Sequence, residues 1–274
     1  MKETMNQEEK IEYYLGKDYY NNSYFNAEKL LSAYEIHDSR SNYSEFKSAN
    51  ILRCINYGLP TEEPQFIYFN NLGFRSNLEF TLENLSKYEK LVLCLGCSDV
   101  LSPNLLYDEM WTTKLQDELG ETFCVLNLGI FTAATDTVSR VLFNFTSLLP
   151  NISDVCIIWP VPARSEFVSK SKTCIVVPQL PKTHPFEEYY NVVDWKTFSY
   201  NFHKNRIFCE QLCKSKGLNF YDLYINRDDE KVPFDSSSKA RAFGIKTNIA
   251  FSNYFLKKIL KQPSLFEKSK NNEI

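Results

Sequence analysis

A serine stands directly after an apolar run in the segment LVLCLGCSDV, where the residue types could support nucleophilic chemistry. The run covers 91–96, and Ser98 precedes a segment of helical pattern. A serine between a strand and a helix turns its backbone N–H and its hydroxyl to the cleft, and the helix N-terminus stabilises a developing oxyanion. This placement predicts a nucleophile for acyl transfer. Ser and Asp are also favoured helix caps, so the competing interpretation is that Ser98 and Asp99 only cap the helix.

A serine nucleophile needs a base that accepts its proton, and the sequence offers few. The three histidines are His37, His184 and His203. His184 stands in an insertion that could fold over the cleft, and a surface histidine without a chemical role is the competing interpretation. Lys239 could act as the base if burial lowered the pKa of its ammonium group.

Two further strand ends carry polar residues, in NLGIFTAATDT and WPVPARSE. In an open parallel sheet, ligands bind beyond the carboxyl ends of the strands, so these segments belong to the candidate site. Arg164 and Glu166 either form an ion pair that fixes the loop or contact the substrate. Asp136 and Arg140 lie four residues apart on a predicted helix, which favours a structural pair with each other or with the chain end.

Short apolar segments alternate with helix-length segments from residue 90 onward. Strands that are apolar on both faces belong in a parallel sheet covered by helices, because half-exposed antiparallel strands alternate with polar residues. We therefore predict an α/β fold with three α/β/α layers around a doubly wound parallel sheet. The predicted strands cover 91–96, 124–129, 155–160 and 218–224, and the predicted helices lie near 105–119, 136–148, 196–216 and 246–260.

The predicted domain covers 61–262 and is flanked by segments of different composition. Residues 1–60 are rich in Tyr, Asn, Ser and charge, which is typical of an arm packed on the domain or of a contact surface. Residues 263–274 form a charged tail that we expect to be flexible. Within the domain, a short strand is predicted at 66–69 and a Pro-rich, aromatic insertion at about 165–195.

The bulk composition excludes several classes of function. The net charge of −3 and the pI of about 5.8 leave no basic excess for binding nucleic acid. No apolar run reaches the roughly 18 residues that span a bilayer, and the polar N-terminus lacks a secretory signal, so we expect no membrane contact and a cytoplasmic location. Gly96 stands alone in GCSDVLSPN, which argues against a nucleotide-binding loop and a nucleotide cofactor.

The positions of the cysteines indicate that they are small apolar core residues and not metal ligands. Cys94 and Cys97 have C-x-x-C spacing but no second close pair, which argues against zinc. Cys209 and Cys213 lie four apart on a predicted helix and share a face. We expect reduced, mostly buried thiols and no metal site. The eight cysteines are Cys54, Cys94, Cys97, Cys124, Cys156, Cys174, Cys209 and Cys213.

The strand ends resemble, in order and spacing, the sequence blocks of one family. FNNLGFR and LVLCLGCSDV are similar to the opening blocks N-S-x-G-F-R and G-[DC]-S of the SGNH (GDSL-type) serine hydrolases, especially phage-encoded members with Gly-Cys-Ser. NLGIFTAATDTVSR resembles the second block, N-x-G-x-x-G-x-S-x-D-x-x-x-R, and CIIWPVPARSE resembles the third, W-[TP]-x-P-x-R-x-E. KARAFGIKTNIAFSNYFLKK resembles the segment that starts the last helix. The resemblance spans roughly 66–260.

This resemblance implies a flavodoxin-like parallel sheet and an esterase that forms an acyl-enzyme on Ser98. The implied substrate is a small acyl ester, including O-acyl groups of carbohydrates, and no cofactor is implied. The residues that match motif positions around the oxyanion and the cleft are Gly96, Cys97, Thr132, Trp159, Arg164 and Glu166.

The chain departs from the family pattern at the positions that matter most for catalysis. Thr132 stands where a glycine N–H normally helps to form the oxyanion hole, and the third block offers no asparagine as a donor. Lys239 and Ala242 occupy the positions expected for the Asp and His of the triad. Loss of that histidine costs several orders of magnitude in rate. The second hypothesis is therefore an inactive module of the same fold that binds other protein chains, in an oligomer or as a component of a phage particle.

Overall fold

The computed structural model describes the backbone of residues 51–54, 65–68, 70, 74–102, 105–130, 133–169, 172–176, 193–225 and 244–261. Side chains are described for 70, 74–102, 105–130, 133–166, 193–225 and 244–261. The first 50 residues, much of the predicted insertion and the predicted tail lie outside these ranges, so the domain boundaries stay predictions.

The described elements follow the alternation of strands and helices that the sequence predicts. In chain order they are β1 (Ile51–Cys54), β2 (Gln65–Tyr68), α1 (Leu82–Leu85), β3 (Lys90–Gly96), α2 (Ser98–Leu101), α3 (Trp111–Leu119), β4 (Phe123–Gly129), α4 (Thr135–Leu148), β5 (Ile152–Trp159), β6 (Ser165–Ser169), β7 (Lys172–Val176), α5 (Trp195–Ser215), β8 (Asn219–Tyr224) and α6 (Ile245–Ile259).

The central sheet has four parallel strands in the order β4-β3-β5-β8. Counted along the chain, this is the order 2-1-3-4, with which the flavodoxin-like doubly wound sheet begins. Strands β1 and β2 form a separate antiparallel pair, and so do β6 and β7, at the start of the predicted insertion. The predicted α/β class with a parallel sheet is confirmed.

Helices cover both faces of this sheet, as the fully apolar strands require. On β3, Leu91, Leu93 and Leu95 pack in one core with α4 and α5, whereas Val92 and Cys94 pack in a second core with α3 and α6. All five side chains are almost completely buried. The alternation along one strand thus builds the three layers.

The helix predicted from residue 105 begins only at Trp111. The reason is that the chain between the two helices is held by side chains instead of helical hydrogen bonds. Helix α2 ends after one turn at Ser102, whose φ of 50° lies in the left-handed region. The buried guanidinium of Arg75 donates a hydrogen bond to the carbonyl of Leu105, at 2.6 Å, and to two carbonyls before it in the chain.

The cysteines whose side chains are described are free and buried, which confirms the predicted thiols for six of the eight. Cys94 packs in the core under α3 and α6, and Cys97 packs in the core under α4 and α5, so the C-x-x-C pair is split between two faces. Among the described residues, no group of three His, Cys, Asp or Glu side chains could hold a metal ion. None of the helices in the described ranges is long and apolar enough to cross a bilayer.

Candidate functional site

The site lies at the carboxyl edge of β3, where the order of the strands reverses. Gly96, the last residue of β3, is paired with Gly129 on β4 and with Ile158 on β5. A Cβ atom on Gly96 would stand 2.6 Å from Val100 Cγ2 and would also collide with the carbonyl oxygen of Ile158. Glycine at this position therefore lets the chain turn sharply from the strand into α2.

The second strand-end glycine, Gly129, lies in close contact with the backbone of α2. A Cβ atom on Gly129 would lie 2.7 Å from the carbonyl carbon of Val100 and would overlap the backbone nitrogen of Leu101. Real Cβ atoms essentially never come within 3.0 Å of another heavy atom. The turn that carries Ser98 thus rests directly on the end of β4, with backbone against backbone.

Three buried polar side chains fix this turn from three distant parts of the sequence. Arg75 donates to carbonyls at the end of α2 and beyond it, including that of Leu101 at 3.1 Å. Asn127 Nδ2 donates to the carbonyl of Val100 at 3.0 Å. Asn248 Oδ1 accepts from the Ser102 hydroxyl at 3.2 Å. Because each of these partners is buried, the position of the Ser98 turn is determined by the fold and not by solvent contacts.

These supporting residues lie in segments that the sequence motifs single out, yet the motifs alone do not predict their contacts. Arg75 ends the first block, Asn127 begins the second, and Asn248 ends the K-T-N of the last. Sequence reasoning missed their role because it assigns chemistry to Ser98 and leaves open which carbonyls need donors. The available signal is an arginine or asparagine within an otherwise apolar segment, since such a group must be hydrogen-bonded when buried.

Ser98 is half-buried at the start of α2, where the sequence predicts it. Within the described part of the chain, its hydroxyl donates to Cys97 Sγ at 3.8 Å, and no histidine or lysine nitrogen is hydrogen-bonded to it. His203 is exposed on α5, with its ring against Phe202. The candidate bases His184 and Lys239 lie outside the described residues, and so do Thr132 and Ala242.

Cys97 is buried beside Ser98 and is held as a neutral thiol. Its S–H donates to the carboxylate of Asp99 at 3.3 Å. Burial raises the pKa of Cys97 to about 11, and the negative charge of Asp99 acts in the same direction. A buried thiol that is protonated at neutral pH is a poor nucleophile, which argues against a catalytic role for Cys97.

Arg164 and Glu166 do not pair with each other, so the ion pair expected between them is wrong. Glu166 accepts from Arg140 on α4, with 3.1 Å between Nε and Oε2, and its side chain is only 6% exposed. Arg164 instead donates to the carbonyl of Ala133 at 3.4 Å. The ion pair of Glu166 with Arg140 thus joins β6 to α4. Arg164 contacts the loop that follows β4.

Asp136 and Arg140 do not pair with each other, so this part of the prediction is also wrong, and the alternative, a pair with the chain end, lies outside the described residues. Asp136 accepts from the amides of Asn201 and Asn205, at 3.0 Å and 2.9 Å, both on α5. Spacing of four residues brings two side chains together on one helix face, but here each finds a better partner on a neighbouring element. Asp136 therefore joins α4 to α5 and has no contact with Ser98.

Trp159 ends β5 with its side chain buried in the core. Its ring packs edge-on against Phe202, with 5.6 Å between centroids, and its indole N–H donates to Asp222 at 2.9 Å. Asp222 in turn forms an ion pair with Arg206. Trp159 thus packs the end of β5 against α5. Arg164 lies in the segment that follows.

No protein-family model and no curated protein matches the chain. Solved structures similar to it include two esterases and a lipolytic protein of the G-D-S-L family. Est24, a carbohydrate acetylesterase from Sinorhizobium meliloti, is 17% identical with a TM-score of 0.36, over 63% of this chain and 99% of that one. The native M. smegmatis aryl esterase is 16% identical with a TM-score of 0.33, over 64% and 100%. A lipolytic G-D-S-L family member from Veillonella parvula is 10% identical with a TM-score of 0.35, over 62% and 97%.

Two of these structures are named as esterases and one as a member of the lipolytic G-D-S-L family. Because these TM-scores and identities are low, we assign the doubly wound α/β fold from the strand order of the chain itself.

Proposed function

We propose that the chain is an SGNH-like ester hydrolase that cleaves a small acyl ester, such as an O-acyl group of a carbohydrate, through Ser98. The observation that carries this proposal is the support of the Ser98 turn. A half-buried hydroxyl stands at the reversal point of a doubly wound sheet, on one helical turn held by the buried side chains Arg75, Asn127 and Asn248. Such a rigid presentation of one hydroxyl is what a nucleophile requires.

In the proposed reaction, Ser98 Oγ attacks the ester carbonyl and the alcohol leaves, which gives an acyl-serine. Water then attacks the acyl group and releases the acid, and the serine regains its proton. The proton of the hydroxyl needs an acceptor stronger than Cys97 Sγ, which is its partner among the described residues. We propose His184 for this role, with Lys239 as the second candidate.

Labelling with a fluorophosphonate probe and hydrolysis of p-nitrophenyl acetate test the nucleophile. We expect Ser98→Ala to abolish both, while Ser86→Ala, at an exposed position after α1, leaves both unchanged. Equal labelling of the Ser98→Ala variant and the parent chain would show that the nucleophile lies elsewhere. Acetylated sugars then replace the nitrophenyl ester to test the substrate class.

Substitutions at the histidines and at Lys239 test the base. Loss of the base should lower kcat by at least about 100-fold, because general-base catalysis contributes about that much or more. We expect His184→Gln to show this loss and His203→Gln, at an exposed position on α5, to keep the parent rate. A normal rate in His184→Gln together with a large loss in Lys239→Met would move the role to the lysine.

The second candidate function is an inactive binding module of the same fold. The observation in its favour is that, among the described residues, Ser98 has a thiol and no nitrogen base as its hydrogen-bond partner. The module would bind other chains through the aromatic arm, in an oligomer or a phage particle. It predicts no Ser98-dependent turnover and an assembly larger than one chain in light scattering. A monomer with Ser98-dependent turnover would exclude it.

A further inference from the structure

Arg164 joins the loops that follow the two strands on either side of the strand that leads to Ser98. In the sheet, β3 lies between β4 and β5. Arg164 follows β5, and its Nη1 donates to the carbonyl of Ala133, which follows β4. This hydrogen bond therefore joins the two loops that follow the neighbours of β3, at the edge of the sheet where Cys97 and Ser98 begin the turn. Its positive charge lowers the pKa of Cys97, against the larger raising effect of burial, so the charge acts on the residue next to Ser98.

The other described arginines are engaged in ways that Arg164 is not. Arg75 donates to three carbonyls, Arg140 pairs with Glu166, and Arg206 pairs with Asp222. Within the described residues, Arg164 makes one hydrogen bond to a carbonyl, at 3.4 Å, and no ion pair. Its side chain is half-buried.

Nearby carboxylates do not neutralise this charge by direct contact. Glu166 is two residues away in sequence but accepts from Arg140. Asp99 is next to Ser98, and its carboxylate accepts the S–H of Cys97. Arg164 therefore keeps a planar, permanently charged donor set at the cleft, which suits a carboxylate because the two groups match in a fork of two parallel hydrogen bonds.

We propose that Arg164 binds a carboxylate of the substrate, so that the preferred ester belongs to an acidic molecule such as an acylated sugar acid. The ester part of this inference rests on the proposed function of Ser98. The part that concerns the acid group rests on Arg164 alone. The guanidinium anchors the acid group, and the ester is thereby oriented toward Ser98 Oγ. A neutral ester lacks this anchor and binds more weakly.

A binding experiment tests the acid site without relying on turnover. The full chain with Ser98→Ala is titrated with D-glucuronate and with D-glucose, which differ at one carboxylate, and binding is followed by ligand-observed NMR. We expect glucuronate to bind at least about tenfold more tightly, a difference expected for one charge-assisted pair. We expect this preference to disappear in Arg164→Gln, to be reduced in Arg164→Lys and to weaken with added salt.

The control is Lys196→Gln, which removes an exposed positive charge on α5 and should leave the preference unchanged. Equal binding of the two sugars, or an intact preference in a folded Arg164→Gln variant, would overturn the proposal. If Arg164→Gln fails to fold, the Arg164→Lys variant and the salt titration decide in its place. Arg164-dependent binding in a chain without esterase turnover would support the acid site and reject the proposed hydrolase.

Discussion

Asn248 Oδ1 accepts a hydrogen bond from the hydroxyl of Ser102 at 3.2 Å, although the two residues lie 146 positions apart in the sequence. The same oxygen accepts from the backbone N–H of Trp111, also at 3.2 Å. The amide of Asn248 donates to the carbonyl of Gly244 at 3.0 Å. One side chain at the start of the last helix thus joins both ends of the loop that follows Ser98.

Replacing Asn248 should loosen this loop. Asn248→Ala leaves the backbone N–H of Trp111 without its acceptor and the Ser102 hydroxyl with only longer contacts to carbonyls, and we expect the free energy of unfolding to fall by about 2–3 kcal/mol. Asn253→Ala, at an exposed position on the same helix, is the control and should change it by less than about 0.5 kcal/mol. Urea titration measures both. A loss no greater than that of the control would show that the hydrogen bonds of Asn248 are not needed.

Arg75 should matter more, because it is 2% exposed and takes three carbonyls. We expect Arg75→Met to cost about 3 kcal/mol or more and to slow labelling of Ser98, since the end of α2 loses its donors. Lys87→Met is a matched change at the surface, where the ion pair with Glu83 spans 4.0 Å. That control should cost less than about 1 kcal/mol.

Gly129→Ala should displace the Ser98 turn. The added methyl group overlaps the backbone of Val100 and Leu101, which no rotamer change can relieve. We expect a loss of about 3 kcal/mol or more in stability, together with the loss of Ser98 labelling. At Gly217 a Cβ atom would meet nothing within 4 Å, but its φ is 69°. Gly217→Ala should therefore cost about 1–2 kcal/mol and leave labelling intact.

The pair of Arg140 and Glu166 should show strong coupling in a double-mutant cycle. The side chains are 21% and 6% exposed, so removal of one partner leaves a poorly hydrated charge. We expect Arg140→Met to cost about 3–5 kcal/mol and Glu166→Gln to lose little more once Arg140 is gone. If the double variant loses as much stability as the two single variants together, the pair contributes no coupling energy.

The buried thiol of Cys97 should contribute to a loss of stability between pH 9 and pH 11, beside other buried thiols whose pKa values are also raised. Its pKa is raised from 9.0 to about 11 in the folded chain, so the unfolded chain loses the proton first and the native state is favoured less as the pH rises. The slope is about 1.4 kcal/mol per pH unit for one such thiol. In Cys97→Ala, denaturation measured across this range should show a smaller slope than in the parent chain, whereas slopes below pH 8 should agree.

The core elements could be predicted from sequence because their signals are local. The strand expected at 91–96 is Lys90–Gly96, and the helix expected at 136–148 is Thr135–Leu148. Runs of apolar residues and helical periodicity suffice for such elements. The start of α3 at Trp111 could not be predicted in this way, because the carbonyls before it are taken by Arg75, far away in the sequence.

The same distinction holds for the candidate site. The position of Ser98 follows from the strand that precedes it, and this part of the prediction depends only on neighbours in sequence. Ion pairs depend on which side chains meet across elements, so the local spacing that suggested Asp136 with Arg140 gave the wrong partners. The hydrogen bond of Arg164 to Ala133 also joins two separate loops, so it could not be predicted from local spacing.

The close contact of Gly129 with α2 also bears on how this protein can evolve. A turn with no space for one methyl group tolerates few substitutions, so a mutational library should be depleted at Gly96 and Gly129. The segment 160–164 ends in Arg164, whose described hydrogen bond is to one carbonyl, and Val161 is 47% exposed. New ester preferences should therefore arise in this segment, while the residues that seat the serine stay fixed.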